Sequence, residues 1–149
     1  MDDMQALYAE IKPDIEEVSS PLFDLSKKFL QSRGNFLPHG AVLTAESKVQ
    51  LVAAQGDNDI TNATEVLPLL QTSLRAIAKQ ENLSAIGIAE NVSIEPAGKS
   101  RTSAIKVLIE HRRGITVALY LPFEKKLFKG YVYGEMLSML AEPEIKAWQ

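Results

Sequence analysis

The chain has 149 residues, a formal net charge of −3, 46% hydrophobic and 23% charged residues, and no cysteine. That length holds one domain with room for a full core, and the composition is too apolar for a disordered chain. The missing cysteine excludes disulfides, thiolate metal sites, iron–sulfur clusters and cysteine nucleophiles, while the acidic balance argues against a general polyanion binder.

The opening stretch MDDMQALYAEIKPDIEE is acidic where a secretory signal needs a basic start and an apolar centre. No apolar run approaches the ~20 residues that cross a bilayer. The expectation is a cytoplasmic protein with no membrane partner. Met4, Tyr8, Ile11, Ile15 and Val18 recur at helical spacing, so residues 3–18 predict a helix that Pro13 breaks or kinks. A second helix is predicted over SSPLFDLSKKFLQSRG, with Ser20 as N-cap, Pro21 in the first helical position and Gly34 as the stop. Two short apolar segments, residues 41–44 and 49–54, flank the polar Glu46, Ser47 and Lys48 and predict a hairpin. QGDNDITN reads as a loop, and ATEVLPLLQTSLRAIAKQENL as a helix with Leu67, Leu70, Leu74 and Ile77 on one face. Pro68 must lie near its first turn or kink it. SAIGIAENVSIE, apolar on both faces around Ile86 and Ile88, predicts a strand covered on both sides.

IKVLIEHRRGITVALYLPF poses the question of register. A two-residue turn at Arg113–Gly114 mixes polar and apolar partners on both faces. A three-residue loop, Arg112–Arg113–Gly114, sets Ile105, Val107 and Ile109 opposite Leu121, Leu119 and Val117. It leaves Lys106 and Glu110 opposite Tyr120 and Thr116 on the other face. A one-residue slip flips every side chain, so burial selects the second register. Gly114 then takes the left-handed position, His111 lies at the rim of the apolar face, and the two arginines are solvated. In KKLFKGYVYGEMLSMLAEPEIKAWQ, Tyr131–Val132–Tyr133 predicts an edge strand over about 129–136. Residues 136–140 fit either more strand or a closing helix. The result is a single α+β domain over residues 1–149, with a helical segment to about residue 34 and a sheet-containing body from about residue 40. Its antiparallel sheet of about five to six strands carries the helices, in the order α-α-β-β-α-β-β-β. In element order this resembles the roadblock and profilin-like arrangement, a likeness that carries no function by itself.

Charge is uneven. Residues 1–24 carry Asp2, Asp3, Glu10, Asp14, Glu16, Glu17 and Asp24 against Lys12, whereas residues 99–129 are basic. Either the acidic helix packs near the basic hairpin, or one of these surfaces meets a charged partner. Lys99, Arg101, Lys125 and Lys126 gather at one end of the hairpin, Arg101 being placed opposite Lys125. Arg112 and Arg113 stand at the other end, roughly 35 Å away at about 3.4 Å per residue. Two poles make no continuous track for a nucleic-acid backbone, so nucleic acid is not expected.

The remaining motifs fail on their own chemistry. SIEPAGKS resembles a phosphate loop, but Ser93 stands where its first glycine belongs and a strand follows instead of a helix. DNDITN opens like a calcium loop, yet its sixth position is Asn62 and its twelfth Pro68. His39 and His111 have no second ligand at metal-binding spacing, and no G-x-S-x-G elbow exists. No catalytic, cofactor-binding or metal-binding residue is therefore assigned. The reading is a non-enzymatic cytoplasmic protein-binding or adaptor domain, an immunity or regulatory partner being one such role. Its partner-binding candidates are Lys99, Arg101, Arg112, Arg113, Lys125, Lys126, Tyr131 and Tyr133. A homodimer through the C-terminal edge segment LFKGYVYGEMLSML is expected. The competing reading is a small-molecule or enzymatic pocket lined by Tyr120, Tyr133 and His39.

Overall fold

A computed structural model describes residues 3–53 and 62–148. Its elements are α1 (Asp3–Arg33), β1 (His39–Thr44), β2 (Val49–Val52), α2 (Ala63–Gln80), β3 (Leu83–Ile94), β4 (Thr102–His111), β5 (Thr116–Lys126), β6 (Gly130–Tyr133) and β7 (Leu137–Leu140). All pairings are antiparallel, in the order β2-β1-β3-β4-β5-β6, with β7 also on β5. The chain is an α+β domain, as expected, with seven strands instead of five or six.

The N-terminal segment is one helix of 31 residues, not two. Ile11, Ile15, Val18, Leu22 and Leu30 form one buried stripe that runs past both prolines. Pro13 and Pro21 remove the bonds to the Ala9 and Glu17 carbonyls, and both of those residues are exposed, so water takes the freed acceptors. Burial of the continuous stripe outweighs the two lost bonds, and Ser20 sits mid-helix instead of capping one. Gly34 does end the helix, at φ +75° with its amide on the Leu30 carbonyl. Pro68 is handled similarly within α2, which starts at the Asn62 cap. The rest of the proposed calcium loop, residues 57–61, lies outside the described residues.

Helix α1 covers one sheet face and α2 part of the other. On the first, Ile105, Val107, Ile109, Val117, Leu121 and Phe123 pack with the α1 stripe. Gly87 lets α1 approach β3, since a Cβ there would stand 2.7 Å from Val18 and 2.9 Å from Leu22. On the second face Val42, Ile86 and Ile88 meet Leu70 and Leu74, joined by Ile145 from the C-terminal segment.

The β4–β5 register is the expected one: Ile105↔Leu121, Val107↔Leu119 and Ile109↔Val117, with Lys106↔Tyr120 and Glu110↔Thr116. Gly114 has φ +94°. The C-terminal edge differs from the expected strand over 129–136. It is an interrupted strand, β6 against residues 123–126 and β7 against residues 117–120 of β5. The break falls at Pro122, which has no amide to donate; its carbonyl accepts the Gly134 amide instead. Residues 137–140 are strand, not a closing helix.

Candidate functional site

The turn Glu110-His111-Arg112-Arg113 resolves into four separate structural roles. Strand alternation sends Glu110 to the face opposite α1, where it is only 3% exposed. Its carboxylate accepts the amides of Glu144 (2.8 Å), Ile145 (2.5 Å) and Lys146 (2.9 Å). Lys146 has φ +60°, a left-handed kink of the kind that turns successive amides inward around an anion. Glu110 thus fastens the C-terminal segment across the sheet, helped by Arg75, which donates to the Ile145 carbonyl at 3.0 Å.

His111 is buried rather than set at the rim. Its Nε2 lies 2.8 Å from the Asp14 carboxylate, and its Nδ1 accepts the Arg113 amide at 3.1 Å. These partners define the neutral tautomer with the proton on Nε2 and occupy both nitrogens, so the ring holds no idle base. Arg113 pairs with Glu10 at 2.7 Å and Arg112 donates to Asn82 at 3.1 Å, both side chains lying at the surface. The acidic helix therefore does pack near the basic hairpin turn.

His39 lies beneath α1 between the edges of Phe29 and Phe36. Its Nδ1 donates to the Leu37 carbonyl at 3.1 Å, and Nε2 faces the Ser26 hydroxyl at 3.2 Å. Burial lowers its pKa, against the bonds from Leu37 and Leu22 that raise it. Tyr120 and Tyr133 point to opposite faces, so they and His39 do not line one cavity. Tyr120 is level with Lys106, whereas Tyr133 packs on Phe123.

Lys106 bridges Glu144 at 2.8 Å and Glu90 at 3.8 Å. Burial alone would lower the Lys106 pKa, but Glu144, Glu90 and Tyr120 outweigh it, so the ammonium is held above its usual range. Glu90 moves upward because burial exceeds the pull of Lys106, with the Glu144 charge adding to the rise. This is an ion-pair network over the sheet, with each charge answered. Among the described residues no three His, Asp or Glu side chains gather to hold a metal ion. SIEPAGKS forms the β3–β4 turn, with Gly98 at φ +75° and the Lys99 amide on the Pro96 carbonyl.

The other candidates divide between the two poles. Arg101 pairs with Glu95 at 3.1 Å, and the β4–β5 ladder ends at Ser103↔Phe123 before reaching Lys125. Lys125 stands 5.8 Å from the Tyr131 ring. Tyr131 and Tyr133 are half-buried against Phe123, and Lys27 lies over Tyr133. Lys126 is exposed.

Apolar surface concentrates in the C-terminal edge segment LFKGYVYGEMLSML. Leu127 and Phe128, at the β5–β6 turn, are 81% and 98% exposed. Along β7 every residue is exposed, Leu140 by 61%, and Met136 and Val132 extend the strip. A groove of about 330 Å³ runs beside β7, lined by Met4, Tyr8, Val117, Met139 and Leu140. The signal was present in KLFK and MLSML, but periodicity cannot say which apolar residues find a partner inside the fold. No family model matches the chain, and neither does any curated protein or solved structure.

Proposed function

We propose that the chain is a non-enzymatic protein-binding domain that acts through the β7 edge, with a second copy of itself as the partner. The observation that supports this is the edge itself. β7 is bonded to β5 on one side only, and Leu137, Met139 and Leu140 are exposed along it. In a terminal strand, alternate backbone groups point outward unpaired, a template for another strand. β7 has no charge, proline or bulge of the kind that blunts such edges. Two copies related by a two-fold axis would pair antiparallel, each strand meeting the same strand of the other. Among the described residues the buried titratable side chains have partners, so a surface edge is the better place to look for a binding role.

Light scattering over a concentration series tests it. The expected mass is twice the 16.4 kDa of one chain at high micromolar concentration, returning to one chain for Leu140→Lys. That substitution is tolerable in the monomer because Leu140 is exposed. A mass of one chain throughout overturns self-pairing. Pull-down from the native host with the parent chain and Leu140→Lys as baits then tests a heterologous strand. If no stoichiometric protein is lost in the variant, the edge is not a binding surface.

A further inference from the structure

We propose that the β5–β6 turn is a membrane-surface contact, in which Leu127 and Phe128 enter the interface of an anionic bilayer and the surrounding cations meet its headgroups. The inference is independent of the β7 edge. It starts from backbone geometry. The Lys129 amide bonds the Lys126 carbonyl at 3.2 Å, so Leu127 and Phe128 are the central residues of a tight turn. Phe128 has φ +69°, a region that favours glycine or asparagine and strains a bulky side chain. The turns at Gly98 and Gly114 put glycine at their positive-φ positions. Here the chain places phenylalanine there and leaves it 98% exposed. The side chain contributes backbone strain and almost no burial, so its contacts lie outside the fold.

Its surroundings indicate the class of partner. Lys125, Lys126 and Lys129 flank the tip, all exposed, and Lys99 and Arg101 stand at the same end of the sheet. Strand alternation puts Lys125 on the α1 side with Tyr131 and Lys126 on the opposite side, so cations border the apolar tip on both faces. Among the described residues Lys99, Lys126 and Lys129 enter no ion pair; of the nearby carboxylates Glu95 is taken by Arg101, and the exposed Glu124 leaves Lys99, Arg101, Lys125, Lys126 and Lys129 in clear excess. A chain of net charge −3 thus carries a locally cationic end. A protein partner would need about 800 Å² of contact, far more than two side chains at a turn provide. A bilayer surface needs no such area, since a few apolar residues enter the interface while lysines sit among anionic headgroups. Nucleic acid fits less well: Phe128 could stack on a base, but Leu127 beside it has nothing to stack on. Surface contact of this kind is distinct from crossing, and no described helix is long and apolar enough to cross.

Flotation of the full chain with vesicles tests the inference. The expected result is binding to phosphatidylcholine vesicles containing roughly a third phosphatidylserine, little binding to phosphatidylcholine alone, and loss of binding as salt rises. Phe128→Asn relieves the strain, so its melting temperature should equal or exceed that of the parent while vesicle binding falls on the order of tenfold. Lys126→Ala and Lys129→Ala should each weaken binding about fivefold with unchanged melting. A Phe128→Asn chain that binds like the parent overturns the inference, as does absence of binding to the anionic vesicles. Tight binding of a single-stranded oligonucleotide, lost in Phe128→Asn while vesicles are ignored, would reassign the tip to nucleic acid.

Discussion

The two ends of the β4–β5 hairpin both carry cations, and they meet opposite fates. At the turn, Arg113 is answered by Glu10 of α1 and Arg112 by Asn82, while the neutral His111 beside them is held by Asp14. At the far end, Lys99, Lys126 and Lys129 enter no ion pair among the described residues, and Leu127 and Phe128 stand in solvent. The cause is the direction of one helix. The acidic first half of α1 lies over the turn, while its second half brings Lys27 to Tyr133 at the opposite end. Charge counts along the sequence do not separate the two ends; only packing does. The turn residues are part of the fold's stability, whereas those cations and the apolar tip at the far end are left without contacts inside it.

If that division is right, substitutions at the turn end should destabilise the chain, whereas Phe128→Asn at the far end should not. The largest effect belongs to Glu110. Three amides converge on its buried carboxylate, and each bond to a charged acceptor is worth more than an ordinary one. Glu110→Ala leaves those amides without their acceptor and releases Ile145 from the core, so unfolding in urea should show a loss of about 3 kcal/mol or more. A loss below about 1 kcal/mol would mean that the C-terminal segment contributes little, and the turn end would lose its main structural claim. Next is Gly114→Val. Nothing lies within 4 Å of a Cβ at Gly114, so the cost is backbone strain alone, about 1–2 kcal/mol for a β-branched residue at φ +94°. The same measurement reads it, and Gly114→Asn should lose clearly less because asparagine tolerates that conformation.

How much of this was legible beforehand differs between the parts. The hairpin register followed from alternation, because only one pairing buried Val107 with Leu119. The apolar stripe of α1 was visible too, but the prolines suggested two helices. Their freed carbonyls face water, so a local cost lost to a continuous buried face. The Glu110 clamp was invisible because it joins residues 34 to 36 positions apart, and nothing local marks a glutamate that will meet three amides. The interrupted edge needed Pro122 to be read together with segments some ten residues away. Residue type alone groups Arg112 and Arg113 with Lys125 and Lys126. Tertiary structure separates them, and it shows Tyr131 and Tyr133 half-buried where the exposed aromatic is Phe128.

The smallest effect is the sharpest check on the comparison, because it concerns charges that look alike. The Arg113–Glu10 pair is short, at 2.7 Å, but its side chains are 53% and 64% exposed. Water screens such a pair, and holding two long side chains in one geometry costs entropy, so it contributes about 0.5 kcal/mol or less. Arg113→Ala should therefore lower stability by no more than that, with the difference fading as salt rises. Asp14 and the Arg113 backbone amide still hold His111 in that variant, so the turn keeps its shape. Vesicle binding should be unchanged in Arg113→Ala, at the same salt where Lys126→Ala weakens it. The two variants remove one positive charge each. If they weaken vesicle binding equally, net charge alone governs the surface and the ends of the hairpin are not distinct. If only Lys126→Ala does so, the location of the charge beside Leu127 and Phe128 is what matters.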